Sequence, residues 1–112
     1  MQKRNEWSIV KSSIFDASLA KAKRVFPNID EKLSRFVEIK LPNPIDRNNR
    51  YGKHDGPMSA ALAGYNHCHL RDDAVLIYTI RGRSIFLLDI VTHSEIEGKA
   101  ALKVAKRLKT VE

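Results

Sequence analysis

Residues 64–78 read GYNHCHLRDDAVLIY, which sets two imidazoles, His67 and His69, one residue apart and follows them with Asp72 and Asp73. Histidines at that spacing share one face of a strand, where they can bind one metal ion or exchange protons. The metal reading needs a third ligand from Asp72, Asp73 or His93. In a His-x-His-x-Asp site the carboxylate stands one residue earlier than Asp72 does, and Arg71, Arg81 and Arg83 surround the pair with charge that opposes a cation. Acid–base chemistry on a phosphodiester fits the same residues better. Imidazoles take and give protons near neutral pH, and Arg and Lys stabilise the negative charge that develops on phosphate. When the substrate is RNA, its own 2′-hydroxyl serves as nucleophile, so the protein needs a base, an acid and cationic support. No metal or other cofactor enters this reading.

These side chains need a scaffold, and the turn signals divide the chain into a short series of elements. Trp7–Lys11 suits a strand, with Trp7 as an edge or core anchor. Ser13 and Asp16 resemble a helix N-cap before an apolar stripe of Ile14, Phe15, Leu19, Ala22, Val25 and Phe26 that Pro27 ends. Asn28 and Glu31 form a second cap-like pair before Ile29, Leu33, Phe36, Val37 and Leu41. The stretch NPIDRNNRYGKHDGP then predicts a long loop too polar to be buried, carrying Arg47, Arg50, Lys53 and His54.

Three strands follow, over 62–71, 74–81 and 84–91, with turns short enough for an antiparallel meander. Alternation along the first strand puts Tyr65, His67, His69 and Arg71 on one face and Asn66, Cys68 and Leu70 on the other. Ser94 and Glu97 repeat the capping pattern before a helix with Ala100, Ala101, Val104, Ala105 and Leu108 on its apolar side and Lys99, Lys103, Lys106, Arg107 and Lys109 outside. The fold class is α+β: an N-terminal strand and helical hairpin packed on an antiparallel sheet, closed by a basic C-terminal helix. Helices on one face would leave the other open for chemistry.

Length and charge bound the rest. The 112 residues suffice for one domain, taken as 1–112, and the single cysteine, Cys68, excludes an internal disulfide and a multi-cysteine zinc site. Twenty Lys and Arg against 13 Asp and Glu give a net charge of +7, a field that favours nucleic acid or an acidic protein partner. The lysine-rich face of the last helix is compatible with RNA contact and equally with simple solvation. There is neither a secretory signal nor a membrane-length apolar run, which points to a cytoplasmic protein without a membrane partner.

The stretch GYNHCHLRDDAVLIYTI, followed after one more strand by VTHSEI, resembles the sheet region of the RelE/ParE superfamily of toxins, closest to its YafQ-like branch. That branch runs Gly-Tyr-Arg-Asp-x-His, then an Asp, then an apolar strand ending in Ile-Tyr, and later Thr-Gly-Thr-His-Ser-x-Leu-Phe. The resemblance covers Gly64 to Ile96 and implies a RelE-like fold. It also implies the toxin of a type II toxin–antitoxin system, an endoribonuclease (mRNA interferase) that cuts mRNA in the ribosomal A site without a metal and is restrained by a cognate antitoxin.

By position, His69, Asp73 and His93 match the family's functional residues, and His54 matches a loop histidine at a longer spacing. Tyr65 and Tyr78 match tyrosines of structural type. The expected site is therefore His69, His93, Asp73 and His54 for proton transfer, with Asp73 orienting an imidazole. Arg71, Arg81, Arg83, His67 and Lys53 are expected to hold substrate. Four positions depart from the pattern: Asn66 replaces an arginine, His67 stands where an acidic residue is usual, Ala74 replaces an aromatic and Glu97 a phenylalanine. Two alternatives stay open, a ParE-like gyrase inhibitor without enzymatic activity and a metal-dependent hydrolase using His67 and His69.

Overall fold

The computed structural model describes residues 7–46 and 48–111; Arg47 lies outside them. The elements in order are β1 (Ser8–Lys11), α1 (Phe15–Val25), α2 (Ile29–Lys40), β2 (Gly56–Pro57), β3 (Asn66–Arg71), β4 (Ala74–Arg81), β5 (Ser84–Val91) and α3 (Ala100–Val111). They form a five-stranded sheet in the order β1-β5-β4-β3-β2. The expected meander holds: β3, β4 and β5 pair antiparallel with consecutive neighbours. β1 joins parallel to β5, Ser8 opposite Ser84 through Lys11 opposite Leu87. The helical hairpin between β1 and the rest of the sheet supplies the crossover that a parallel pair requires.

Helices cover both faces of the sheet, a correction to the one-sided layering expected. On one side Phe15, Ile29 and Phe36 from the hairpin pack on Cys68, Leu76, Tyr78 and Leu87. On the other, Ala101, Val104 and Leu108 of α3 pack on Val75, Ile77, Leu88 and Val91. A bulge in β5 makes this two-sided burial work. Ile77 pairs with Asp89 and Tyr78 with Leu87, so Leu88 is the extra residue, and the strand shifts which face its side chains meet. Asp89, buried beside it, accepts from Ser18 of α1 and from Nε and Nη2 of Arg107 in α3, at 3.1 and 2.6 Å for the arginine. One carboxylate thus ties both helical layers to one strand.

The helices begin where the apolar stripes demand, but not with the expected caps. Ile14, not Ser13, occupies the N-cap of α1 without a side-chain bond, and Ser12 instead uses its hydroxyl to bond the Leu88 carbonyl of β5 at 2.6 Å. Asn28 does occupy the N-cap of α2, yet its side chain caps nothing there. At the other end of the chain, Ser94 and Glu97 are not the cap pair. Glu95 accepts the backbone N–H of Thr92 at 2.8 Å and closes a 3-10 turn over His93–Ile96. Gly98, at φ +53°, then redirects the chain into α3. The strand expected over 62–71 starts only at Asn66, because Ala60–Leu62 is a second 3-10 turn.

The long polar loop is also more structured than its composition suggests. Its end, Gly56–Pro57, adds an edge strand to β3, with Gly56 opposite His67. Asp55 is only 4% exposed and Lys40, at the end of α2, 3%, so part of a loop judged too polar to be buried is held inside the protein. No helix among the described residues is long and apolar enough to cross a membrane.

Candidate functional site

Three separate segments deliver four imidazoles to one spot. His67 and His69 come from β3, His54 from the turn before β2, and His93 from the 3-10 turn after β5. The His69 ring is at the centre. His54 stacks on it with ring centroids 4.6 Å apart and planes inclined by 22°. His93 meets it edge-on, also at 4.6 Å, and His67 lies 5.7 Å away. The placement follows from the sheet. His69 and His67 pair with Val75 and Ile77, residues of the α3-facing side. There the layer of α3 covers β4 and β5, leaving the imidazoles of β3 half-buried at its margin.

His93 is held by Asp73, which sits in the β3–β4 turn. One Asp73 oxygen accepts the backbone N–H of His93 at 2.7 Å and its Nδ1 at 2.9 Å. Those two bonds, the backbone one foremost, hold the Asp73 carboxyl below its usual range. A carboxylate can only accept, so His93 Nδ1 carries the proton and Nε2 is left for exchange with a substrate. The pair is exposed, and its worth is in fixing a tautomer and a ring orientation more than in stability. His69 differs. Burial, and after it the neighbouring imidazoles of His93, His54 and His67, push its pKa below the ordinary imidazole value. It is therefore neutral at pH 7 and equipped to accept a proton.

His67 has a partner of its own: Nδ1 lies 3.1 Å from the Gly56 carbonyl, which secures the short β2 against β3. Lys53 adjoins His54 in the exposed part of the loop. Asp72 is an exposed turn residue, as the choice of Asp73 over it requires.

The arginines are placed otherwise than alternation predicts. A register shift between His69 and Arg71 turns the Arg71 side chain away from the histidines. Its Nη1 donates to Asn28 Oδ1 at 2.8 Å and its guanidinium lies 5.2 Å from the Phe26 ring centroid, which also explains why Asn28 does not cap α2. Arg81 and Arg83 flank the β4–β5 turn, at the opposite end of β4 from Asp73; seven residues of strand separate Ala74 from Arg81, roughly 23 Å. Arg83 there covers the Trp7 ring at 5.3 Å. The expected site thus divides into His54, His67, His69, Asp73 and His93, which converge with Lys53 nearby, and the three arginines, which do not.

The metal alternative fares no better in space than in sequence. Among the described residues no group of three or more His, Cys, Asp and Glu side chains is disposed to hold a metal ion. A cleft of about 510 Å³ lies between α1 and the ends of β4 and β5, lined by Phe26, Asp73, Asp89, Thr92 and Arg107; of the expected site it touches Asp73 and none of the histidines. Sequence reasoning missed one part of the site's surroundings altogether: the buried contacts of Lys40 and Asp55 directly behind His54. A lysine closing an amphipathic helix and an aspartate in a Gly/Asn-rich loop each look like solvated residues, and only their distant pairing reveals otherwise.

Residues 8–98 match the model of a family described as bacterial toxin of type II toxin–antitoxin system, YafQ. A search of curated proteins found no match. Among solved structures, YafQ from E. coli strain BL21(DE3) superposes with a TM-score of 0.63 at 20% identity, over 83% of this chain and all of that one. The toxin in the E. coli DinJ-YafQ toxin-antitoxin complex gives 0.62 at 19%, over 83% of this chain and 99% of that one. A YoeB/ParE toxin from Agrobacterium tumefaciens gives 0.61 at 15%, over 77% and 98%. The fold is that of these toxins, and with the family match spanning residues 8–98 the chain belongs to the YafQ family of toxins of bacterial type II toxin–antitoxin systems.

Proposed function

We propose that this toxin is an endoribonuclease that cuts mRNA on the ribosome by acid–base chemistry, with His69 and His93 as its proton-transfer pair. The observation that carries the reading is the contact of two differently held imidazoles, with centroids 4.6 Å apart: His69, its pKa lowered by burial, and His93, bonded through Nδ1 to a carboxylate. His69 takes the proton from the 2′-hydroxyl as its oxygen attacks phosphorus. His93, protonated, donates to the 5′-oxygen as the P–O bond breaks. The products are a 2′,3′-cyclic phosphate and a 5′-hydroxyl, and no metal or cofactor is required. Asp73 fixes the His93 tautomer and lies against the charge that the ring carries when protonated. His54 and His67 lie beside His69, where they can donate hydrogen bonds to the same phosphate, and Lys53 adjoins them as a cation.

Arg81 and Arg83 stand too far from the cluster to touch the scissile phosphate, so any RNA they hold lies elsewhere along the strand. Arg71 acts through the α1–α2 turn instead of on substrate. The basic side of α3 offers Lys103, Lys106 and Lys109, exposed and suited to ribosomal RNA. The cognate partner is an antitoxin with an acidic segment, which a toxin of charge +7 complements, in the manner of the DinJ-YafQ pairing.

The test is cleavage of a defined mRNA on translating ribosomes by wild type, His69→Ala and His93→Ala. Loss of cleavage in both, with the fold retained, supports the reading. Wild-type cleavage and growth arrest by either variant would sink it and favour a non-enzymatic toxin of the ParE type.

A further inference from the structure

His54 reaches His69 from the end of a long polar loop, a position that chain entropy alone would scatter. What restrains it is a network just inside. Asp55, the next residue, accepts with Oδ2 from Lys40 Nζ and from the Tyr51 backbone N–H, each at 2.8 Å, and with Oδ1 from the Tyr78 hydroxyl. Lys40 Nζ also donates to the Asn49 carbonyl at 2.9 Å. The end of α2, the loop and the centre of β4 are thus joined through one buried carboxylate. Tyr51 adds an edge-on contact with Phe36, at 5.9 Å between centroids.

Stability alone does not account for this arrangement. Desolvating two charges costs about as much as their attraction returns, and an apolar replacement of the same volume holds a loop equally well or better. A hydrogen-bonded network differs in being directional, since it specifies one arrangement of the groups it joins. Here the group so specified is the residue adjacent to the buried carboxylate. The segment is fixed on the other side too, where Gly56 pairs with His67.

We propose that Asp55 and Tyr78 are positioning residues whose buried network, with Lys40 as the counter-charge of the carboxylate, holds the His54 ring against His69. The role assigned to this placement in cleavage rests on the proposed function, but the placement itself is measurable in the free toxin without any RNA. Groups facing His69 are His54 from the loop, His67 from β3 and His93 beyond β5, with Asp73 behind His93.

Three proteins decide it, each released from its antitoxin. They are wild type, a Lys40→Met/Asp55→Ala/Tyr78→Phe variant that dismantles the network without leaving a buried charge, and a conservative Lys40→Met/Asp55→Asn variant whose amide oxygen accepts from the Tyr51 N–H while its NH2 donates to the Tyr78 oxygen. Histidine-resolved NMR reads the ring-to-ring contact between His54 and His69 and the titration of His69. Ribosome-dependent cleavage reads kcat and KM. In the triple variant the ring contact disappears and the His69 titration moves up toward the ordinary imidazole value, as it also does in His54→Ala. Its kcat falls about 10- to 100-fold, the cost expected of a misplaced group, with KM little changed. The conservative variant keeps the ring contact and most of kcat.

A folded triple variant that preserves the ring contact overturns the proposal, as does failure of the conservative variant to restore it. If the triple variant does not fold, Tyr78→Phe alone must weaken the ring contact, and an unchanged contact there overturns the proposal equally. Should His54→Ala cleave at the wild-type rate, the catalytic use of His54 fails, while the NMR comparison still decides whether the network positions it.

Discussion

Asp73 and Asp55 are two carboxylates of one chain that hold histidines by opposite means. Asp73 is exposed and bonds its histidine directly, through ring and backbone of His93. Asp55 is buried, bonds no histidine, and fixes the backbone beside His54 through Lys40, Tyr51 and Tyr78. Water screens the first pair, so it adds little stability and can follow a change of protonation. The second lies in a low-dielectric interior, where losing one partner strands the other. The difference teaches a division of labour: proton chemistry is placed where charge can change, and geometry is set where charge cannot.

The largest expected effect bears on the exposed side. His69→Ala removes the neutral imidazole to which the other rings are packed, and cleavage on translating ribosomes should fall by about 10²- to 10⁴-fold, the usual worth of a general base. Thermal unfolding of this variant should stay close to that of wild type, because His69 is only half-buried. A variant that both cleaves normally and unfolds early would reverse the assignment, making His69 a structural residue.

The buried side should behave in the opposite way. Lys40→Met alone leaves the Asp55 charge inside the protein without its cation, which costs about 3–5 kcal/mol. Urea denaturation should show that loss. Adding Asp55→Asn should recover much of it, since the remaining groups are neutral and hydrogen-bonded. If the single and double variants lose stability equally, the pair is not a compensated ion pair and the contrast with Asp73 collapses.

Asp73→Asn is the matching, milder change outside. Its stability should barely change, because water screens the exposed pair. Cleavage should still drop, since an asparagine can present its amide to His93 Nδ1 and favour the wrong tautomer. The drop should be smaller than for His69→Ala. Equal cleavage by Asp73→Asn and wild type would show that His93 needs no orienting carboxylate.

Legibility in the sequence follows the same inside-outside line. The strands over 74–81 and 84–91 are read to the residue, because two-sided burial leaves long apolar runs bounded by turn residues. The choice of His69, Asp73 and His93 rested on a family resemblance and places three converging groups. The errors arise where a distant residue takes over a local polar group. Asn28 looked like a cap for its own helix but serves Arg71. Ser12, not Ser13, uses its hydroxyl, which donates to β5 while accepting the Ile14 N–H at the start of α1. Arg71 should share a face with His69 by alternation, and a one-residue register shift defeats the rule. Asp55 had every local mark of a solvated loop residue. In each case the deciding partner is many positions away, 43 in sequence for Arg71 and Asn28, and no spacing within one segment encodes it.

The smallest effect expected is a dependence of stability on pH. Folding lowers the pKa of His69 from its ordinary 6.5, by burial first and then by its imidazole neighbours. Just below pH 6.5 the unfolded chain therefore binds more protons at this residue than the folded one, so stability must fall as pH falls. The contribution is complete above the ordinary value, diminishes as pH drops through 6.5 toward the folded value, and is constant beneath that. Asp73, lowered from 3.8 by its two bonds to His93, acts with the same sign in a separate and more acidic window. Urea midpoints of wild type should accordingly decline between pH 7 and pH 5, while those of His69→Gln decline less. His54→Ala should fall between the two, since it removes one imidazole that repels charge on His69 but leaves the burial. Parallel curves for wild type and His69→Gln across that range would mean that His69 titrates alike in folded and unfolded chains, and the neutral base at the centre of the cluster would lose its physical support.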